Sequence, residues 1–337
     1  MRSRLARLVL CWFSAMVLSG TSWVASAPVR VNIGTASVSS SALSLWLAQE
    51  QGIFAKHGIE AQVILVRGGP TLVASIMARE IQLAFTSGVS VLGAAAQGID
   101  IKMLSSISSR VSWKLMTNSH LKQAQDLRGK RLGVQSIVGS TWMYSMLALE
   151  SLGLEPKRDN ITFIQTGDPV TTAHALEAGR IDGAALEPAL SRRLAAKGFT
   201  TLTDLSQSNV AFPGLGLGVA KNYLDQQGAM IEKVIAALAE SLVFTQQPAN
   251  KPVVLKSMMK NLRLADRQAA EEGYLDLLST LNRKPYPSLD GLRNAQRLMA
   301  VQNPKVASLK VEDLAEPRFV KKLDDSGFID KLYSAAH

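Results

Sequence analysis

Cysteine is nearly absent from this 337-residue chain, which contains only Cys11. Since Cys11 falls in an N-terminal segment that we expect to be removed, the mature protein should have no thiol. That absence excludes disulfide bonds, cysteine nucleophiles and thiolate metal sites. Beyond this segment the chain also lacks any apolar run of the roughly 20 residues that a bilayer-spanning helix needs. We therefore expect a soluble product outside the cytoplasm.

The first 27 residues have the three parts of a secretory signal peptide. Three arginines between Arg2 and Arg7 form a basic start, an apolar stretch runs from Leu8 to Leu18, and Ala25-Ser26-Ala27 supplies a cleavage site. A cut after Ala27 would make Pro28 the first residue of the mature chain, and proline is disfavoured at that position. Cleavage a few residues earlier is therefore an alternative. The alternative is a buried N-terminal helix. We predict export to the periplasm with cleavage near Ala27.

Charged residues make up only 19% of the chain and hydrophobic residues 47%, a balance typical of a globular protein with a substantial core. The formal net charge is +10, and it falls to +7 without the three N-terminal arginines. The basic residues are scattered rather than clustered among aromatic residues, so we expect no nucleic-acid partner. The charge indicates either a bias toward anionic ligands or membrane surfaces, or plain solubility.

Residues that carry catalysis are scarce. None of the four histidines (His57, His120, His174 and His337) has a neighbour at metal-ligand or catalytic spacing. The chain has no G-x-S-x-G nucleophile motif and no phosphate-binding G-x-x-x-x-G-K-[ST] loop. The run Gly214–Gly218 lacks the glycine spacing of a dinucleotide-binding loop. We expect no enzymatic activity, no cofactor and no metal.

An internal repeat with an offset of about 100 residues is the most informative pattern. Both copies open with a strand, Val29–Gly34 and Lys130–Val134, and a serine-rich loop with a helix follows. The later landmarks are equally spaced in the two copies. The distance in sequence from Gly34 to Gly68 equals that from Gly133 to Gly167, and the distance from Ile81 to Gly98 equals that from Ile181 to Gly198. Each copy therefore predicts a β-α-β-α-β unit with a mainly parallel sheet covered on both faces.

These units predict an α/β protein of two lobes with a hinge and C-terminal helices. The chain should cross to the second lobe through Lys102–Trp113 and return near Gly214–Ala220. We predict residues 28–108 with 214–337 as lobe 1, helical from about Lys221, and residues 109–213 as lobe 2.

Ligands of parallel α/β sheets bind outside the carboxyl ends of the strands, and helix N-termini there attract anions and polar oxygens. Four such starts are predicted: Ser39–Ser41, Gly68–Thr71, Gly139–Thr141 and Gly167–Pro169. The loops after the third strands, at Thr86-Ser87-Gly88 and Glu187-Pro188, should end near the same edges. If the two edges face each other, all of these loops surround one cleft.

Each of these residues also has an ordinary structural explanation. The serines and threonines, Asp168 and Glu187 could simply cap helices. Arg67, Arg110 and Lys114 are candidate cations for an anionic ligand or solvated surface charges. Trp113 and Trp142 could stack on a planar ligand or pack in the core; Trp142 is the better candidate because it follows the helix start at Ser140.

The order of these motifs resembles the NMT1/THI5-like and SsuA-like substrate-binding proteins of ABC transporters for nitrate, sulfonates and taurine. The stretches that carry the resemblance are Ala48–Phe54 with Gly58–Glu60, Gly68–Pro70, Ile81–Phe85, Ala95–Gly98, Asp126–Val134 and Leu176–Gly183. The resemblance extends over about Val29–Leu205. It implies a type II periplasmic-binding-protein fold whose cleft is lined by the loops after the strands.

By position, the resemblance carries ligand contacts over to Ser39, Ser40, Gly69, Thr71, Ser87, Ser140, Thr141 and Asp168. Thr86, Trp142 and Glu187 complete the predicted ligand-binding set. The resemblance implies a monomeric extracytoplasmic protein that binds a small anion or planar heteroaromatic solute and delivers it to an ABC permease at the inner membrane. A sensory or partner-binding module of the same fold is the alternative, and a secreted enzyme is a weaker one. The chain lacks the cysteine-rich motif of the thiamine-precursor synthases in the same superfamily.

Overall fold

The computed structural model describes residues 29–36 and 38–334, so the predicted signal peptide with Cys11 lies outside the described residues. In this part of the chain the strands are β1 (Val29–Thr35), β2 (Ile59–Leu65), β3 (Leu83–Ser87), β4 (Ile101–Met103), β5 (Lys114–Thr117), β6 (Arg131–Val134), β7 (Thr162–Gln165), β8 (Gly183–Leu186), β9 (Thr200–Asp204) and β10 (Leu215–Ala220).

The α-helices of the same residues fall between and after these strands. They are α1 (Leu43–Glu50), α2 (Ile53–Lys56), α3 (Gly69–Met77), α4 (Gly88–Ala95), α5 (Ser140–Ser151), α6 (Pro169–Glu177), α7 (Pro188–Ala196), α8 (Lys221–Gln226), α9 (Gly228–Gln246), α10 (Lys251–Leu262), α11 (Arg267–Thr280), α12 (Leu289–Ala300), α13 (Pro304–Ala307), α14 (Arg318–Asp325) and α15 (Phe328–Ser334). No helix among the described residues has the length and apolar character needed to cross a membrane.

Two five-stranded sheets of the same design confirm the predicted two-lobed α/β fold. Their strand orders are β2-β1-β3-β10-β4 and β7-β6-β8-β5-β9. In each sheet the first three strands are parallel, and the fourth runs antiparallel to both of its neighbours. We call the first sheet with its helices lobe 1 and the second lobe 2. The residue boundaries of the lobes given above remain predictions.

The glycines that mark the repeat occupy equivalent places in the two lobes. A Cβ on Gly34 would lie 2.2 Å from Leu72 Cδ1, and one on Gly133 would lie 2.4 Å from Ile181 Cδ1, so both strands need glycine where another element packs on them. Gly68 and Gly167 precede α3 and α6 with φ of 91° and 97°, a conformation that favours glycine. Equal packing demands thus explain the equal spacings.

The direction of β5 and β10 shows how the lobes face each other. The chain leaves lobe 1 at the carboxyl end of β4 and enters lobe 2 as β5, which runs against its neighbours. It leaves lobe 2 after β9 and re-enters lobe 1 as β10, again antiparallel. A strand that runs antiparallel to the parallel strands of its sheet begins at their carboxyl ends. Each crossing therefore connects the carboxyl edge of one sheet to the carboxyl edge of the other. The two carboxyl edges therefore confront each other.

The two crossings run side by side and are hydrogen-bonded to each other. The amide of Ile107 donates to the carbonyl of Leu215 at 2.8 Å, and that of Phe212 donates to the carbonyl of Ser109 at 3.0 Å. A Cβ on Gly216 would lie only 1.8 Å from the carbonyl oxygen of Ser105. Close approach of two backbones thus explains this part of the Gly214–Gly218 run.

The C-terminal helices pack mainly on lobe 1 and reach lobe 2 in two places. The long helix α9 lies against α1 and shares a buried apolar cluster with the first sheet. The α11 helix contacts α7 of lobe 2, where Arg192 pairs with Glu272 and Asp276, both at 2.6 Å. From α12, Arg297 donates to Glu150 of α5 at 3.0 Å.

Gly216, where the two crossings pack backbone against backbone, provides a test of this packing. We expect Gly216→Ala to lower the free energy of unfolding by about 2–4 kcal/mol, because the new methyl group has backbone on one side and cannot move away. Chemical denaturation followed by circular dichroism measures the loss. Gly218→Ala is the matched control in the same strand: its Cβ would have only ordinary contacts of 3.6 Å and longer. Equal stability of the two variants would contradict this account of the crossings.

Candidate ligand-binding cleft

The confronting carboxyl edges enclose a narrow cavity of about 30 Å³, which we call the central cleft. Lobe 1 contributes the loops after β1, β2 and β3, and lobe 2 contributes those after β6 and β7. The lining residues are Ala36, Ser39, Ser41, Gly69, Thr86, Ser90, Trp113, Gln135, Ser136, Ser140, Thr141, Tyr144, Pro169 and Leu215. Both lobes therefore supply walls to one site.

The electrostatics of the central cleft come from backbone rather than from charged side chains. Helices α3, α5 and α6 begin at cleft residues, namely Gly69, Ser140 and Pro169, and α4 begins two residues after Thr86. Helix N-termini carry unpaired amides and a partial positive charge. No lysine, arginine, aspartate, glutamate or histidine is among the lining residues. The described cleft thus favours an electron-rich oxygen without presenting a counterion.

A polar corner on the lobe 1 side is built around Gly69. A Cβ at this position would lie 1.8 Å from Ser90 Oγ and 3.3 Å from Thr86 Oγ1, so only glycine lets the start of α3 approach both hydroxyls. Thr86 is 1% exposed, and its Oγ1 has no hydrogen-bond partner in the structure. A buried hydroxyl left unpaired costs about 1–3 kcal/mol. A polar atom of a bound solute would relieve that cost.

The lobe 2 wall is held by Gln135 and Thr141. The backbone amide of Gln135 donates to Thr141 Oγ1 at 2.8 Å, which ties the loop after β6 to the first turn of α5. The side chain of Gln135 reaches across the cleft, and its Nε2 donates to the carbonyl of Ala36 at 2.8 Å. Gln135 therefore joins the two lobes directly beside the site.

Aromatic rings from both crossings form the floor of the cleft. Trp113 of the first crossing stacks on Tyr144 of α5, with ring centroids 4.4 Å apart, and the ring centroid of Phe212, from the second crossing, lies 4.6 Å from that of Tyr144. Burial, with a smaller contribution from the charge of Glu187, raises the pKa of Tyr144 well above its ordinary range. Tyr144 therefore keeps its phenol proton to a higher pH than an exposed tyrosine does.

Glu187 lies in a smaller cavity that shares Ser41 and Trp113 with the central cleft. Its Oε2 accepts a hydrogen bond from Ser40 Oγ of the opposite lobe at 3.2 Å. Desolvation raises the pKa of this buried carboxyl, the Ser40 hydrogen bonds partly oppose that rise, and the charge of Asp276 adds to it. The carboxyl thus contacts both lobes in a water-poor position.

The structure brings seven of the eleven predicted ligand-binding residues to these two cavities. Ser39, Gly69, Thr86, Ser140 and Thr141 line the central cleft, and Ser40 and Glu187 line the smaller cavity. The remaining four, which are Thr71, Ser87, Trp142 and Asp168, line neither cavity.

These four residues have other surroundings. Thr71 is exposed, and Ser87 is buried opposite Leu215 in the first sheet. Asp168 caps α6, where its carboxylate accepts from the amide of Thr171 at 2.9 Å, and it faces Arg67 of lobe 1 at 3.6 Å. Trp142 is on the wall of a separate cavity and packs edge-to-face on Phe163.

The candidate cations are also outside the central cleft. Lys114 forms an ion pair with Asp204 at 2.9 Å, and Arg67 is engaged with Asp168. Arg110 is exposed and lines neither of the two cavities. None of the three candidate cations therefore lines either cavity among the described residues.

Several lining residues escaped prediction, chiefly Ser90, Gln135, Ser136 and Tyr144, whereas Trp113 had been named only as a candidate for stacking on a planar ligand. Gln135 and Ser136 directly follow β6, so the strand-end rule alone could have found them. Trp113, rather than the preferred Trp142, reaches the central cleft, because it lies in the crossing, whose path only the tertiary structure shows. Which of the two rings stacks on a ligand stays a prediction. The described residues contain no group of three or more histidines, cysteines or carboxylates that could hold a metal.

Among proteins of known sequence, a binding protein of Brucella abortus is 29% identical over 140 residues. The match covers 42% of this chain and 42% of that protein, so the chain spans about two-fifths of the length of the curated relatives it matches.

Solved structures share the fold over most of the chain. A Bordetella bronchiseptica protein matches with a TM-score of 0.78 at 17% identity, covering 89% of this chain and 98% of that one. The alkanesulfonate-binding protein SsuA of Xanthomonas axonopodis, solved with MOPS, matches with a TM-score of 0.68 at 18% identity, covering 87% and 100%. A protein named as the desulfurization enzyme DszB matches more weakly, with a TM-score of 0.61 at 13% identity over 88% and 99%.

The family comparison agrees with this architecture and extends over most of both lobes. The sequence model described as NMT1/THI5 like matches residues 40–250, which include the loops that line the central cleft on both sides. This chain therefore belongs to the NMT1/THI5-like family.

Proposed function

We propose that this chain is the extracytoplasmic solute-binding component of an ABC importer, exported by its N-terminal signal and active as a monomer that docks on a membrane permease. The observation that carries the proposal is the central cleft, to which both lobes contribute helix N-termini and hydroxyl groups. Membership in the NMT1/THI5-like family supports it, as does the fold shared with a protein named as alkanesulfonate-binding.

The polar contacts across the cleft describe the closed state of such a binding protein. Gln135 bonds to Ala36, Ser40 bonds to Glu187 and Arg67 faces Asp168, each pair joining the two lobes. Opening would separate these pairs while the hydrogen-bonded crossings act as the hinge. A solute that touches both lobes favours closure because it gains contacts there that the open form cannot offer.

The chemistry of the walls limits the solute class. Helix N-termini and unpaired hydroxyls suit the oxygens of a sulfonate, carboxylate or nitrate, and the ring of Trp113 suits a planar group. The small cleft and the absence of a charged side chain in its lining disfavour a multiply charged anion. We therefore propose a singly charged or neutral solute that bears an oxygen-rich group.

Identification of the solute tests the proposed function directly. The chain, purified after export, should release a bound small molecule in native mass spectrometry, and calorimetry should show one site per chain. A panel of sulfonates, carboxylates, nitrate and pyrimidines would extend the search. A protein that carries no small molecule and binds no member of the panel would contradict the proposal.

The unpaired hydroxyl of Thr86 provides a test of where the solute binds. Thr86→Val keeps the side-chain shape and removes a buried, unsatisfied group, so we expect unchanged or slightly higher stability. Affinity for the identified solute should fall about tenfold, which equals a loss of about 1.4 kcal/mol of binding free energy. Ser87→Ala is the matched control, since Ser87 Oγ is also buried and unpaired but lies outside the cleft. Similar affinities of both variants would place the solute elsewhere.

Closure should weaken as pH rises because the pKa of Glu187 is raised in the closed form. Below the ordinary value of 4.5 the carboxyl is protonated in either form, and closure has no electrostatic cost. Above 4.5 the open form loses the proton first, so closure must either take it back or bury a charge. Solute affinity should therefore fall with increasing pH, by at most tenfold per unit, until the raised pKa is passed.

The variant Glu187→Gln should remove this slope and bind more tightly than the wild type at pH 7. Glu60→Gln, on an exposed pair with Arg30, is the control and should keep the slope. Calorimetric titrations between pH 4 and 8 would measure both. A wild type whose affinity is independent of pH would refute this role of the carboxyl.

A further inference from the structure

A second cavity of about 380 Å³ lies beside the central cleft and is formed by both lobes. Its inner wall is apolar and buried, with Val73 of α3, Ala94 of α4, Trp142 of α5 and Met299 of α12. No charged residue is among the described residues that line it, and its exposed rim carries the amide side chains of Gln97, Gln302 and Asn303. We call it the side chamber. Its volume lies within the range of roughly 300–1,000 Å³ of small-molecule sites.

The side chamber adjoins the central cleft through a shared residue. Ser90, which is buried, lines both cavities, and it stands directly against Gly69 at the start of α3. One molecule could therefore place a polar group among the hydroxyls of the cleft and an apolar body in the side chamber. The central cleft alone, at about 30 Å³, has room for little more than the polar group.

Two features of the chamber wall are unusual for an ordinary packing defect. Trp142 is 1% exposed, yet its indole Nε1 has no hydrogen-bond partner in the structure. Val138 has a φ of 59°, a conformation that β-branched residues rarely adopt. Its Cγ1 lies against Gly93 of α4, where a Cβ would be only 2.9 Å away. Strain and an unpaired donor are maintained in the same wall, as is common at ligand sites.

We infer that the solute is amphipathic: an oxygen-rich group binds in the central cleft, and an apolar chain or ring of about six carbons or more occupies the side chamber. An engineered apolar cavity of roughly 150 Å³ accepts benzene, so the side chamber has space for such a body. This inference rests on the proposed function and narrows it, because it selects organic acids with an apolar body over inorganic anions and the smallest sulfonates.

Calorimetry with two homologous series tests the inference. The probes are acetate, butyrate, hexanoate and octanoate, and the corresponding methane-, butane-, hexane- and octanesulfonates. Burial of a methylene group strengthens binding by up to roughly fourfold. We expect affinity to increase at least tenfold from the one-carbon or two-carbon member to the six-carbon member of the series that binds.

A variant whose side chain fills the side chamber tests whether the apolar body of the solute binds there. Ala74 lines the chamber from the exposed face of α3, so Ala74→Phe should fold normally while its ring occupies the space. It should abolish the gain with chain length and leave the binding of the shortest member unchanged. Ala78→Phe, at the exposed C-cap of α3 and outside the chamber, is the matched control and should keep the gain.

The outcomes separate this inference from the proposed function. Equal affinity for short and long members, or a gain that survives in Ala74→Phe, would overturn the side chamber as a binding site while solute binding itself stands. Failure of every long-chain probe to bind would overturn the inference too, and a polar solute found by native mass spectrometry would still support the proposed function.

Discussion

The confrontation of two carboxyl edges is the constraint on which the rest of this structure depends. Two crossings, paired by hydrogen bonds such as Ile107 to Leu215, hold the sheets so that every loop after a parallel strand faces its counterpart. Three helices, α3, α5 and α6, then begin at residues that line the shared space. With the edges turned apart, the same residues would form two unrelated surfaces with ordinary helix caps.

The lack of charged side chains among the described residues that line the central cleft fits this arrangement. Converging helix N-termini already provide a positive potential in a water-poor site, where a buried lysine or arginine would carry a large desolvation cost. Two nearby carboxyl groups add little negative charge to the site. Asp168 caps helix α6, and burial favours the protonated form of Glu187. Solute recognition in the proposed function therefore depends on backbone amides, hydroxyls and ring faces.

The sequence predicted the architecture well because the two copies impose the same packing on equivalent residues. Gly34 and Gly133 lie against side chains of neighbouring segments, while Gly68 and Gly167 adopt positive φ. Because both constraints require glycine, the glycines recur at equal spacing in the sequence. The loops after strands could likewise be located, which gave Ser39, Gly69 and Thr141. Tertiary position could not be read in the same way. Nothing in the local pattern distinguishes Trp113, on the cleft floor, from Trp142 on the opposite side of α5, and the hydroxyl of Thr71 looks equivalent to that of Thr86 until the exposure of each is known.

The place of β10 in the first sheet also bears on how the chain acquires its structure. This strand lies between β3 and β4, so the sheet of lobe 1 stays divided until residues 215–220 arrive. Lobe 2, in contrast, draws all five strands from the continuous stretch between Lys114 and Asp204. Contacts between residues close in sequence form at lower entropic cost than contacts between distant ones. Lobe 2 should therefore fold first, and lobe 1 should be completed only when β10, which follows lobe 2 in the sequence, joins its sheet. Under the proposed export, this order means that the region that stays unfolded longest is the N-terminal part of lobe 1, which would also be the first to follow the predicted signal across the membrane.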